Sequence, residues 1–213
     1  MNNFYDCTNP IFQKELVSVR DFPQLGWRWR EDIPILSGIY EFCASREDLV
    51  LCGKFKLQFS FPRDYPLHIP TVTELDGQIS ANYHRNPDKS LCLGTPLDLY
   101  SVFAKERTLS HFIKQILNPY LFRWVYFSEN KKELWKDRPH GNTGVFQTYA
   151  KALGVSDFRL VKRLLAIAVL GCDDHNQLCP CGSGMRMQDC HWRALVEINR
   201  ILPTDIIAKD LLR

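Results

Sequence analysis

The chain has no long apolar run. Its longest, Leu164 to Leu170, falls far short of the roughly 20 residues that cross a bilayer, so no membrane association is expected. Its opening, MNNFYDCTNPIFQKEL, lacks a basic segment followed by an apolar stretch. No signal peptide is therefore expected, and the cytoplasm is the expected location. Charge of one sign is also scarce. The net charge is +3, and Lys and Arg alternate with acids, as between Glu129 and Arg138. That reads as a solvated surface and not as a stripe that tracks phosphates, so nucleic acid is not an expected partner. There is no glycine-rich nucleotide loop, no internal repeat and no low-complexity stretch. What is present is ordinary for a globular chain of 213 residues: 45% hydrophobic, 24% charged and 12% aromatic. The length suits one domain with an appendage, or two small domains.

Cysteine, by contrast, is plentiful, with eight residues. In a reducing compartment their spacing points to metal or catalysis before disulfides. The sharpest local motif is Leu178-Cys179-Pro180-Cys181-Gly182-Ser183-Gly184-Met185-Arg186-Met187-Gln188-Asp189-Cys190-His191. Cys179, Cys181, Cys190 and His191 offer three thiolates and one imidazole, a set suited to tetrahedral Zn²⁺. With four protein ligands no position stays open, so the site reads as structural. The surrounding tail has little apolar sequence, and an ion would contribute much of its fold. Cys172 and His175 lie just upstream, outside that spacing. Arg186, Arg193 and Arg200 are too few to make this tail a nucleic-acid reader. Cys7, Cys43 and Cys52 have no partner at a useful spacing and read as ordinary thiols.

Periodicity gives an α+β outline. Pro10 to Val19 has helical spacing. Trp27 to Ile33 shows no clear period. Ile35 to Ala44 and Leu49 to Phe61 are rich in Ile, Val, Tyr and Phe, and Ser45 to Asp48 make a polar turn between them. Lys54 to Phe61 alternates polar and apolar as a half-buried strand does. Pro62, Pro66 and Pro70 then exclude a regular helix. Thr71 to Leu75 fits a short strand and Gly77 to Lys89 a polar loop. Thr108 to Phe127 returns to helical spacing, with Pro119 expected to break or kink it. Asp157 is placed to cap a helix that runs to Leu170 and stops at Gly171. Further helices are expected from Trp192 to Leu202 and from Asp205 to Leu212.

Cys92 sits in Ser90-Leu91-Cys92-Leu93-Gly94, after a polar loop that carries Asn82, His84 and Asn86. A cysteine between two leucines is by itself more often a small core residue than a nucleophile. The wider segment reverses that weighting. Phe61-Pro62-x-x-Tyr65-Pro66-x-x-x-Pro70-x-Val72, then His84, then Leu91-Cys92-Leu93 resembles the core of the ubiquitin-conjugating enzymes. In that family a proline-rich segment follows the third strand, a His-Pro-Asn loop comes next, and an Ile-Cys-Leu segment holds the catalytic cysteine. The resemblance spans roughly residues 10 to 127. Here the place of the family's Asn is taken by His84, and Asn82 takes that of its His; a gapped alignment would instead put Asn86 on the Asn. A histidine there and a fused C-terminal extension look more like the bacterial branch of the family.

The resemblance implies an antiparallel sheet flanked by helices over residues 1–130. A helical extension over 131–171 and a zinc motif with terminal helices over 172–213 would follow. It implies that Cys92 carries the C-terminus of a protein as a thioester and passes it to an amine or another nucleophile. His84 would donate to the oxyanion, a contribution of about 3–4 kcal/mol for such donors, or lower the thiol's pKa, or take the amine's proton; the opposing reading is a loop residue that bonds nearby backbone. The activated protein would be ubiquitin-like or, as in antiphage operons of the CBASS type, a cGAS-like cyclase. A separate adenylating enzyme would load it. The alternative is a non-catalytic adaptor that keeps the fold for protein binding and uses the zinc tail for docking. The tail resembles the SEC-C motif, which is appended to many unrelated proteins as a recruitment element. Pro139-His140-Gly141-x-x-Gly144 resembles turns in bacterial relatives, which makes His140 a lesser site candidate, while His68 and His111 read as surface and structural residues.

Overall fold

The computed structural model describes residues 4–31, 33–135, 139–172 and 174–213. The chain divides into two compact units, Met1–Leu93 with Lys105–Lys136, and Gly94–Ala104 with Asp137–Arg213. The stretches 131–171 and 172–213, treated apart in the sequence, thus contribute mainly to one unit.

The first unit is built on a four-stranded antiparallel sheet in the order β1 (Leu25–Arg30), β2 (Ile33–Arg46), β3 (Leu49–Ser60) and β4 (Thr71–Glu74). The long β2–β3 hairpin follows from alternation: Leu36, Tyr40 and Phe42 on β2 and Phe55, Leu57 and Phe59 on β3 are buried, while their neighbours are not. Cys43 and Cys52 fall on the outward positions, directly opposite each other, and are joined as a disulfide with Cα atoms 4.0 Å apart. This corrects their reading as ordinary thiols. Their separation in the chain is uninformative until the hairpin register pairs them.

β1 was not legible as a strand. Its register sets Trp27 opposite Leu36, and Trp27 packs on Phe12 and Phe61 while Arg28 and Arg30 stay exposed. Two tryptophans between arginines mask the alternation. Helix α1 (Pro10–Ser18) is started by Asn9, whose side chain accepts from the Ile11 amide. Its Glu15, 1% exposed, accepts from the Tyr65 hydroxyl at 2.9 Å, the Ser18 hydroxyl at 2.7 Å and the Leu109 amide at 3.2 Å. The carboxylate thereby joins α1, the proline-rich segment and the start of α3 (Leu109–Phe112). From Leu109 to Asn130 the backbone stays helical through a π turn at Ile113–Leu117 into α4 (Asn118–Asn130). Pro119 therefore does not break the helix. The wider turn before it absorbs the missing amide hydrogen bond.

The second unit is helical: α2 (Pro96–Phe103), α5 (Gly141–Leu153), α6 (Phe158–Leu170), α7 (Trp192–Ile201) and α8 (Thr204–Leu211). α5 and α6 lie within the helical extension expected over 131–171, while α2 has no counterpart in the sequence reading. Asp157 caps α6 by accepting from the Arg159 amide at 2.8 Å, and Gly171 ends it. Buried Asp210 accepts from the Tyr149 hydroxyl at 2.9 Å and from Arg213 at 2.8 Å, tying α5 to α8 and the last residue.

Gly38 sits at φ +154°, where a Cβ would strike the Gln24 carbonyl. Gly26, on β1, has open space around the same position. Gly38→Ala is therefore expected to lower stability by about 2 kcal/mol, whereas Gly26→Ala leaves it unchanged or slightly raised. Urea unfolding of the two variants compares them directly.

Candidate functional site

Cys92 lies where a chain segment returns from the loop after β4. Arg85 pairs with Leu91 in an antiparallel bridge; the Cys92 amide donates to the His84 carbonyl at 2.7 Å, and the Asn86 amide to the Ser90 carbonyl at 2.8 Å. His84 therefore stands opposite Cys92 across this narrow ribbon. Ser90 and Leu91 are buried, at 4% and 3% exposure, while Cys92 and His84 are half-buried. Ser90 and Leu91 thus anchor the segment, and the Cys92 residue stays partly accessible.

Other residues hold the ribbon. The Glu74 carboxylate, at the end of β4, accepts from the Asp76 and Ile79 amides and from Arg85 at 2.9 Å. Its side chain is fully buried, and that of Arg85 is 12% exposed. Arg85 also donates to the Ile79 carbonyl at 2.8 Å. The charge pair is thus embedded in backbone hydrogen bonds, the condition under which a buried ion pair tolerates its desolvation. Asn86 spends its amide on the Ser90 hydroxyl at 2.9 Å and the Leu91 carbonyl at 3.4 Å, closing the tip of the ribbon. Asn82 is exposed, and its amide donates to the Ser80 hydroxyl. Of the three polar loop residues, His84 is the one set across from the cysteine.

Helix α4 approaches from behind. The Tyr83 ring packs on Trp124 and Phe127, with centroids 4.9 and 5.1 Å away. The Tyr120 hydroxyl lies 3.3 Å from the carbonyls of both Tyr83 and His84. Burial above all, with Tyr83, Cys92 and Glu74 close by and Arg85 in opposition, pushes the Tyr120 pKa up, so this hydroxyl keeps its proton and donates. Glu74, Tyr83, Arg85 and Tyr120 were not singled out in the sequence. The spacing of Tyr120, Trp124 and Phe127 at i, i+4 and i+7 was the available sign of an aromatic ridge on one helix face.

The second cluster lies in the helical unit. Ligand atoms of Cys179, Cys181, Cys190 and His191 all fall within 4.8 Å of one another. His191 turns its Nδ1 toward the sulfurs, 3.2 Å from that of Cys179 and 3.1 Å from that of Cys190. Burial pushes the Cys179 thiol up to about 11, while hydrogen bonds from Ser183 bring Cys181 down to about 6. A tight bridge between Leu178 and Arg186 folds the knuckle, and α7 starts immediately after His191. Three sulfurs and one imidazole nitrogen facing one another fit a metal ion. Cys172 and His175 stand outside this cluster: the Cys172 sulfur meets the Gln177 side-chain amide at 3.0 Å, and the His175 ring packs on Trp192 with centroids 3.9 Å apart. His140 is an exposed residue at the start of α5 in the same unit. His68 pairs with Asp64 at 2.7 Å, and His111 lies 3.6 Å from Glu106.

The SEC-C motif model matches residues 176–193, which covers all four clustered ligands. No curated protein matches the chain. Among solved structures, the crystal structure of the yeast vps23 UEV domain in complex with a vps27 PSDP peptide is similar, at 15% identity and a TM-score of 0.41, over 62% of this chain and 85% of that one. No helix among the described residues is long and apolar enough to cross a membrane.

Two outcomes follow. Arg85→Met strands the Glu74 carboxylate and is expected to cost about 3 kcal/mol in urea unfolding; adding Glu74→Met recovers part of that, since the charge goes but the Asp76 and Ile79 amides lose their acceptor. Elemental analysis of the purified chain is expected to find one bound divalent ion per chain, lost in Cys190→Ala.

Proposed function

We propose that the chain is a ubiquitin-conjugating-like transferase that carries the C-terminus of another protein as a thioester on Cys92. What carries the reading is the 2.7 Å bond from the Cys92 amide to the His84 carbonyl, which pairs the backbones of a half-buried cysteine and a half-buried histidine across one ribbon. The proline-rich segment and the order of elements around it, which resemble the conjugating-enzyme core, support it.

The chemistry needs little from the cysteine. The incoming acyl group arrives activated, as an adenylate or a thioester from a separate adenylating enzyme. The Cys92 thiolate attacks its carbonyl carbon, the former carrier (AMP from an adenylate, or a thiolate from a thioester) leaves with the bonding pair, and the acyl group ends as a thioester on Cys92. In the second step an amine attacks the Cys92 thioester. The tetrahedral oxyanion accepts a hydrogen bond from the His84 imidazole, the C–S bond breaks, the Cys92 sulfur leaves as thiolate, and the amine's extra proton passes to solvent or to His84. The product is an amide joining the carried protein to the acceptor. In the CBASS setting the carried protein is a cGAS-like cyclase; otherwise it is ubiquitin-like.

In the tail we assign the ion to Zn²⁺, held by the thiolates of Cys179, Cys181 and Cys190 and by His191 through Nδ1. Bound there, it supplies a cross-link that the sparse apolar sequence of 172–191 does not. The knuckle then serves as a docking element.

Incubation of the chain with ATP, the adenylating enzyme and candidate proteins encoded beside it tests the reading on a non-reducing gel. The expected result is an adduct cleaved by excess thiol, absent in Cys92→Ala and thiol-resistant in Cys92→Ser. An adduct that survives in Cys92→Ala rejects the mechanism. Biological function intact in both Cys92→Ala and His84→Ala assigns the fold to a non-catalytic adaptor.

A further inference from the structure

One side chain ties the Cys92 ribbon to α4 without entering the proposed reaction. The Tyr120 hydroxyl lies 3.3 Å from the carbonyls of Tyr83 and His84, and the His84 carbonyl also accepts from the Cys92 amide at 2.7 Å. His84 itself sits in the left-handed region at φ +40°, a conformation a non-glycine residue keeps only where its surroundings hold it. The neighbouring Tyr83 ring packs on Trp124 and Phe127 of the same helix face, so packing fixes the residue before His84. A phenyl ring at position 120 would fill the same space. The hydroxyl is the part that packing does not require.

We propose that Tyr120 is a positioning residue: its hydroxyl orients the peptide groups on either side of the His84 backbone turn and so sets the imidazole relative to the Cys92 thiol. The inference rests on the reading of His84 as the partner of Cys92. The path is short and physical, from the Tyr120 O–H to the His84 carbonyl and from there to the Cys92 N–H. Without the hydroxyl, the His84 carbonyl loses one of the donors that hold it, and the turn is free to relax. The imidazole, which packs edge-on against the Tyr83 ring with centroids 4.6 Å apart, then loses the backbone hold on its orientation while the fold stays intact.

A double-mutant cycle on an intrinsic property of the thiol tests this without any partner protein. Cys92 is alkylated with iodoacetamide near neutral pH in the intact chain, and its rate is followed by mass spectrometry of the Cys92 peptide. Four chains are compared: native, His84→Ala, Tyr120→Phe and the double variant. The expected result is that His84→Ala changes the rate by about threefold to tenfold in the native background, the scale of one well-placed hydrogen bond. In the Tyr120→Phe background it changes nothing further. An equal His84→Ala effect in both backgrounds overturns the role of Tyr120 and leaves the pairing of His84 with Cys92 standing. No His84→Ala effect in either background overturns both. A Tyr120→Phe chain that unfolds also overturns the proposal, because the hydroxyl then serves the fold as a whole. Failure of the thioester reading alone would appear differently, as an intact cycle with no Cys92-dependent adduct.

Discussion

The carbonyl of His84 accepts hydrogen bonds from two directions, and the proposed site depends on that sharing. From one side comes the Cys92 amide at 2.7 Å, from the other the Tyr120 hydroxyl at 3.3 Å. A carbonyl oxygen has two lone pairs, so both donors can be served at once. The result is a segment held through its backbone, with the His84 ring set edge-on against the Tyr83 ring at 4.6 Å between centroids. The thioester carrier proposed above would need such a hold, firm at the backbone and open to a large acyl donor.

The two units reach stability by different means. The first buries charge inside hydrogen-bonded cages. Glu15 is surrounded by the Tyr65 and Ser18 hydroxyls and the Leu109 amide, and Glu74 by two amides and Arg85. Glu15 gathers segments far apart in sequence, whereas Glu74 closes the loop that follows β4 on itself. The second unit uses helix packing for most of its length and gives its Cys-Pro-Cys knuckle to four facing ligands. There the apolar residues are few, and the donor set takes the place of a core.

How much of this was legible in the sequence varied with how local the signal was. The β2–β3 hairpin, the α6 cap at Asp157 and the four clustered ligands follow from spacing within a short stretch, and the structure places them as read. β1 did not show, because its arginines and tryptophans obscure a two-residue period on an edge strand. The Cys43–Cys52 pairing did not show, because it exists only once the hairpin register is known. The surroundings of Cys92 were read from the loop alone. Glu74 and Tyr120 are brought to that loop by a strand end and a helix, and the role of Arg85 within it shows only once Glu74 is placed against it.

The π turn at Ile113–Leu117 has a consequence for the evolution of the chain. Such a turn is one residue more than an α-helix requires, and each residue advances a helix by about 100°. Tyr120, Trp124 and Phe127 all lie beyond it. Their common face is thus pointed at Tyr83 and His84 by an inserted residue upstream. Losing a residue there would swing the whole aromatic ridge by about 100°, away from the ribbon it packs on, and would leave Pro119 without the wider turn that accommodates it. The five residues from Ile113 to Leu117 therefore behave as an index mark. Their number matters as well as their chemistry: Ile113, Ile116 and Leu117 are buried, and a length change would displace them together with the ridge.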